Sequence, residues 1–393
     1  MKYIFLIAAL TALPALSHDL GHHRALPGSI ETAKFELNHV TRSKAGEESS
    51  SATFSNLLQT ILRSQSGKVY MPATPAQYLD NQRLRVFVAE DVADEVTTQV
   101  VNDLNTAFDL WMGAPYYGKN QAIAIYLMIY GSDESAARKI EGEYCDHLSA
   151  VGFPSAEWCD PEQNSMWREY VEYGGAALNS AGPVEGSTKL GLGVKNWDWD
   201  ARAIKSMIYH EIFHIYQNSN IFINDPLAQA DPHELFAKKI GKRLESAARN
   251  TPWAVEGQAD FFTALYTYDR AYFKSSMESS LKDTGAGSSL PLKEWYFEQG
   301  EALWNIAFED PSDRVELAYR IGAWFAAYLV SIHGEASIYR LWESADTLGF
   351  AEAFEGIFGT DYKTYIQEFD VWLRQPNEDL YRILDGIYDS KIK

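Results

Sequence analysis

The chain has 393 residues, 46% of them hydrophobic and 13% aromatic, enough to bury a full core as one large domain or two smaller ones. Its 54 Asp and Glu against 34 Lys and Arg give a formal charge of −20. That balance argues against a nucleic-acid surface, because phosphate binding needs clustered Lys and Arg that this chain lacks.

At the N-terminus, Met1-Lys2, the apolar run Tyr3 to Leu16 and the small-x-small stretch Ala15-Leu16-Ser17 read as a signal peptide over residues 1–17. The expected location is secreted or periplasmic. No later run reaches the ~18 continuous apolar residues of a membrane span, so no stable membrane insertion is expected. Residues 18–82 are irregular, with His22-His23, a polar run from Ser43 to Ser51, and one short amphipathic stretch near Phe54 to Leu62. A removable pro-segment and a strap across the folded domain both fit this composition.

The pattern sharpens at Leu84. Leu84 to Ala89 reads as a strand, Val92 to Leu110 as an amphipathic helix, and Gln121 to Ile129 as a second strand. Cys145 and Cys159 bracket a short segment holding Gly152 and Pro154. In an exported chain such a pair most simply forms one local disulfide, with His147 on the surface of the loop; a metal site built on two thiolates alone is the rival. Trp158, Trp167, Trp197 and Trp199 suit either a substrate groove or a core. Leu190 to Val194 reads as a further strand.

Next comes Ile208-Tyr209-His210-Glu211-Ile212-Phe213-His214, a His-Glu-x-x-His pattern inside an apolar stretch. On a helix, positions i and i+4 share a face, so His210 and His214 offer two imidazole nitrogens to one metal while Glu211 stands beside them. That is the ligand geometry of a hydrolytic zinc site, which needs a third protein ligand and keeps a fourth position for water. Glu256 is the candidate third ligand, in Trp253-Ala254-Val255-Glu256-Gly257-Gln258-Ala259-Asp260, a segment that starts after Pro252 as a helix does. Asp260, one turn on, is placed to accept the remaining N–H of a ligating His. Three bland readings stand beside these: buried core histidines, a helix-capping Glu256 and a merely exposed Asp260. His233-Glu234 begins a similar pattern, but Ala stands at 237, so it is read as surface. Downstream, Pro232 to Ala247, Val255 to Thr267, Ala318 to Ile332 and Ala336 to Ser344 carry helical spacing.

His-Glu-x-x-His followed by Trp-x-x-Glu-Gly-x-Ala-Asp resembles the gluzincin zinc metallopeptidases. Tyr319-Arg320-Ile321-Gly322-Ala323-Trp324 is similar to the segment carrying the catalytic tyrosine in zinc aminopeptidases of that group, and Ala353 to Gly359 with Phe369 and Trp372-Leu373 resembles their closing helices. The likeness covers roughly residues 83–373. It implies a zincin-like α+β lobe over 83–220, carrying the zinc helix and a substrate-binding edge strand near Leu190 to Val194, then a helical lobe over 221–393 with the third ligand. It also implies one Zn2+ held by His210, His214 and Glu256, Glu211 as general base for a zinc-activated water, and Tyr319 as oxyanion donor, with Tyr328 and His333 as fallbacks. A peptide or protein is the expected substrate. The aminopeptidases' Gly-x-Met-Glu-Asn strand is absent: Gly174 to Asn179 holds no acid for a substrate amino group, so endo- and exo-cleavage both stay open. An inactive zinc-binding scaffold or recognition module, and a zinc hydrolase of a non-peptide substrate, are the other readings.

Overall fold

Continuous runs of apolar and β-branched residues, buried on both faces, favour parallel strands. Leu84–Val88 (β1) and Ala124–Tyr130 (β2) are such runs, and the computed structural model pairs them in parallel, Leu84 opposite Ile125 and Val88 opposite Ile129. Residues 84–112, 124–150, 171, 177–181, 187–195, 197–219, 251–285, 288–308 and 310–391 are described. Their strands form a four-stranded sheet in the order β1-β2-β4-β3, with Ser187–Gly193 (β4) parallel to β2 and Ala177–Ala181 (β3) antiparallel to β4. The segment around Leu190 is therefore interior. The edge strand beside it is Ala177–Ala181, a correction to the edge position expected for Leu190 to Val194.

Asp94–Met112 (α1) buries Val100, Val101, Leu104, Ala107, Phe108 and Trp111, a stripe at helical spacing. Glu134–Ala150 (α2) is held at its start by Asp91, which accepts from the Ser132 and Asp133 amides, and by Asp133, which accepts from the Ala136 amide. Tyr144 of α2 packs edge-on against Phe87 and Tyr126 of the sheet. His147, expected on a loop surface, is buried in the last turn of α2 against Arg85. Burial and the neighbouring guanidinium lower its pKa to about 4. None of the described cysteines is a free thiol. Cys145 lies on α2, and its expected partner Cys159 lies outside the described residues, as do Trp158, Trp167, His233-Glu234, the Pro232 to Ala247 segment and everything before Leu84.

The helix carrying His210, Glu211 and His214 is Trp197–Ser219 (α3). Helices then follow one another: Pro252–Thr267 (α4), Arg270–Lys282 (α5), Leu292–Gln299 (α6), Ser312–His333 (α7), Ala336–Leu348 (α8), Phe350–Phe358 (α9), Tyr362–Leu373 (α10), Asn377–Leu380 (α11) and Arg382–Ser390 (α12). The described architecture is α+β, a mixed sheet with helices followed by an all-helical stretch. Contacts divide the chain into two compact units, one including Gln121–Glu211 and the other Ile212–Lys393. Helix α3 is continuous across Glu211 and Ile212.

The helical unit is organised around α4 and α7. These two helices approach so closely that a Cβ at Gly257 would lie 2.4 Å from the backbone carbon of Gly322, and one at Gly322 would lie 2.7 Å from the Trp253 carbonyl. Only glycine at both positions permits that distance. Around the crossing, Trp253 sits among Phe325, Phe350, Phe354 and Tyr362, and the Trp342 indole donates to Gln258 Oε1 at 2.7 Å. Helix α7 is long and apolar enough to cross a membrane by composition, but 72% of its most apolar window is buried inside the protein, as in a core helix.

Candidate metal centre

From Met207 to Gln217 every residue of α3 is buried except His210 and Glu211, which are half-buried. A helix apolar on all sides belongs in a core, so two partly accessible polar residues in its midst mark a place where the interior opens. His214 sits one turn beyond His210 on the same face.

Helix α4 begins at Pro252, whose missing N–H costs nothing at a helix start. Glu256 falls in its second turn, past the first-turn region where acids serve as caps, so helix capping does not account for it. Its side chain is 2% exposed. A buried carboxylate needs a cation or several donors to offset lost hydration. His214 Nε2 faces Glu256 Oε2 at 3.0 Å. One ligand atom from each of His210, His214 and Glu256 can be chosen so that all three lie within 4.8 Å of one another.

Hydrogen bonds beyond this group fix the role of His214 Nδ1. The Val255 carbonyl can only accept, so Gln217, 3.0 Å away, must turn its amide nitrogen toward it. Gln217 Oε1 then points at His214 Nδ1 at 2.8 Å, which makes Nδ1 the N–H donor. In the neutral imidazole Nε2 is left with a lone pair aimed at a carboxylate oxygen, and two acceptors face each other across 3.0 Å. That arrangement is stable only with a cation or a proton between them. Two imidazole nitrogens and one carboxylate oxygen are the donor set zinc prefers, and tetrahedral ligands at zinc distances stand about 3.3 Å apart, reachable from these positions by small side-chain rotations. The residues fit the ion.

Asp260 lies one turn beyond Glu256, half-buried, and accepts from Arg320 of α7 at 2.8 Å. It is thus paired rather than merely exposed, while the partner found for His214 is Gln217. The sequence reading missed Gln217, although its signal was present: position i+3 from a ligating histidine shares that histidine's face. Tyr319 is half-buried on α7, next to Arg320 and three residues before Gly322. Of the fallback donors, His333 Nε2 is 2.6 Å from the Tyr365 hydroxyl, and Tyr328 packs on Trp372, with ring centroids 4.9 Å apart. Both belong to an aromatic group on α7 and α10. Compared with known protein families, with curated proteins and with solved structures, the chain shows no match.

Proposed function

We propose that the chain is an exported, gluzincin-type zinc metallopeptidase with a zincin-like catalytic domain, holding one Zn2+ through His210, His214 and Glu256. The observation that carries the reading is the convergence of these three ligand atoms from two separate helices beside Glu211, which is not itself among the three. A group that only held metal would have no need of that fourth polar residue.

Zinc at this position supplies Lewis acidity to a carbonyl and to water. The chain's own residues supply the proton traffic. Glu211 takes a proton from the attacking water and passes it to the departing amine, the two halves of general acid–base catalysis by one carboxylate. Tyr319 donates its phenol hydrogen to the carbonyl oxygen as negative charge gathers there. Asp260, held by Arg320, is the candidate acceptor for the remaining N–H of a ligating histidine.

Support comes from incubating the purified mature chain with a complex peptide mixture and reading new termini by mass spectrometry, beside Glu211→Gln at equal zinc content. New ends from the wild type alone are the expected result, and their positions separate endo- from exo-cleavage. Cleavage by both proteins would remove Glu211 from the chemistry, and cleavage by neither at full zinc occupancy would replace the peptidase by a zinc-binding scaffold. A second reading draws on the 3.0 Å separation itself, which also suits a protonated His214 paired with Glu256 in a metal-free structural role. Zinc stoichiometry of the purified chain decides between the two.

A further inference from the structure

We infer that Gln217 is the positioning residue of this centre: it sets the His214 tautomer and locks the third-ligand helix to the zinc-motif helix. The inference rests on the metal-binding reading above but not on the reaction assigned to it.

The two ligand-bearing helices are far apart in sequence, since 42 residues separate His214 from Glu256. Apolar contacts bring them together, chiefly the Phe213–Phe262 stack, with ring centroids 4.7 Å apart. Apolar packing is non-directional and does not fix helix rotation or rise to the few tenths of an ångström that metal ligation demands. A hydrogen bond does. Gln217 Nε2 donates to the carbonyl of Val255, the residue before Glu256, at 3.0 Å, so the link is made one residue from the ligand. Its other end accepts from His214 at 2.8 Å. One side chain, 1% exposed, therefore holds one ligand directly and sets the backbone of another.

The order of dependence runs in one direction. A carbonyl can only accept, which orients the Gln217 amide. The amide oxygen can only accept, which puts the imidazole hydrogen on Nδ1 and the lone pair on Nε2, where it faces Glu256. Methionine at 217 has nearly the same volume but neither function. Glutamate at 217 keeps the acceptor for Nδ1–H and loses the donor for Val255.

Zinc affinity of the full-length mature chain, measured by competition with a chromophoric chelator, separates these functions, with unfolding temperature of the metal-free proteins read in parallel. Gln217→Met should bind zinc about 10–100-fold more weakly than wild type, the usual cost of losing such an outer partner, and Gln217→Glu should stay within a few-fold. Both should lower the metal-free unfolding temperature, because both lose the bond to Val255, and Gln217→Met also loses the acceptor for His214. A purely structural glutamine would give two variants equal in zinc affinity, and that outcome overturns the inference. If the wild type binds zinc and Gln217→Met binds it equally well, the role of Gln217 alone fails. If the wild type binds no more zinc than His210→Ala, the metal centre fails and this inference with it.

Discussion

Glu256 and His214 show how one buried acid constrains its surroundings, and two other titratable groups, one half-buried and one buried, show the same physics with opposite pH signs. Asp370 on α10 accepts from the Tyr296 hydroxyl at 2.9 Å, and burial raises its pKa to about 6 despite that bond and the nearby Arg374. The folded chain holds this proton more tightly than the unfolded chain does. The stability it contributes is fully present below about 4 and is lost as pH rises through 6. Asp370→Asn keeps an acceptor for Tyr296 and cannot ionise, so the variant should be the more stable at pH 7–8, by on the order of 1 kcal/mol after allowance for solvent access, with the gap closing toward pH 4. Unfolding temperatures of the two proteins across that range check it, and a gap independent of pH would contradict it. His147 runs the other way: its folded-state pKa is about 4, so the stability from keeping it neutral is present above about 6.5 and lost as pH falls toward 4. Hydrogen-exchange protection factors along α2, corrected for the intrinsic pH dependence of exchange, should fall over that acid interval, while those of α10 should not share the change.

Between elements, the α4–α7 crossing carries the most restrictive geometry among the described residues. Gly257 directly follows Glu256, so whatever displaces that glycine displaces the ligand. A methyl group at 257 would meet Gly322 backbone atoms at 2.4 and 2.6 Å, and backbone cannot swing aside as a side chain can. Gly257→Ala should cost about 3 kcal/mol or more and weaken metal binding as well, because the helices must part where the ligand sits. Gly322→Ala meets the Trp253 carbonyl at 2.7 Å and should destabilise similarly, with less effect on zinc because 322 lies on the partner helix. Thermal unfolding with chelator titration separates the two effects. This level also shows what could be read before folding. The i, i+4 spacing of His210 and His214 and the strands at Leu84 and Ala124 follow from short-range periodicity, and they appear in the structure close to where the sequence places them. The role of Gly257 depends on Gly322 arriving opposite it, 65 positions later, which no local pattern encodes. The burial of His147 likewise depends on Arg85 from another element, and the interior position of β4 depends on β3, whose Ala-Leu-Asn-Ser-Ala sequence carries little strand signal. The Arg270–Lys282 and Leu292–Gln299 helices carry little signal in the sequence because their polar faces dilute the apolar spacing.

At the scale of the whole chain, a metal drawing ligands from two helices is a folding constraint as well as a chemical one. The unfolded chain lacks the preformed site, so zinc bound at the proposed centre would add to stability by mass action, about 4 kcal/mol when free zinc exceeds the dissociation constant a thousandfold. In a helical unit of this size that corresponds to a rise of about 10 °C in unfolding temperature. His214 and Glu256 both belong to the unit that includes Ile212–Lys393. The chain has two units and need not unfold in one step, so a thermal scan should show the zinc-dependent shift in the transition reported by the Trp253 and Trp342 environments. Removing zinc with a chelator should return that transition to the metal-free position and restoring zinc should reverse it. Glu211→Gln should keep the full increment, since Glu211 is not among the three grouped ligands, whereas Glu256→Ala should lose nearly all of it. Equal shifts in wild type and Glu256→Ala would mean that the zinc sits elsewhere, and loss of the shift in Glu211→Gln would make Glu211 a ligand instead of a base.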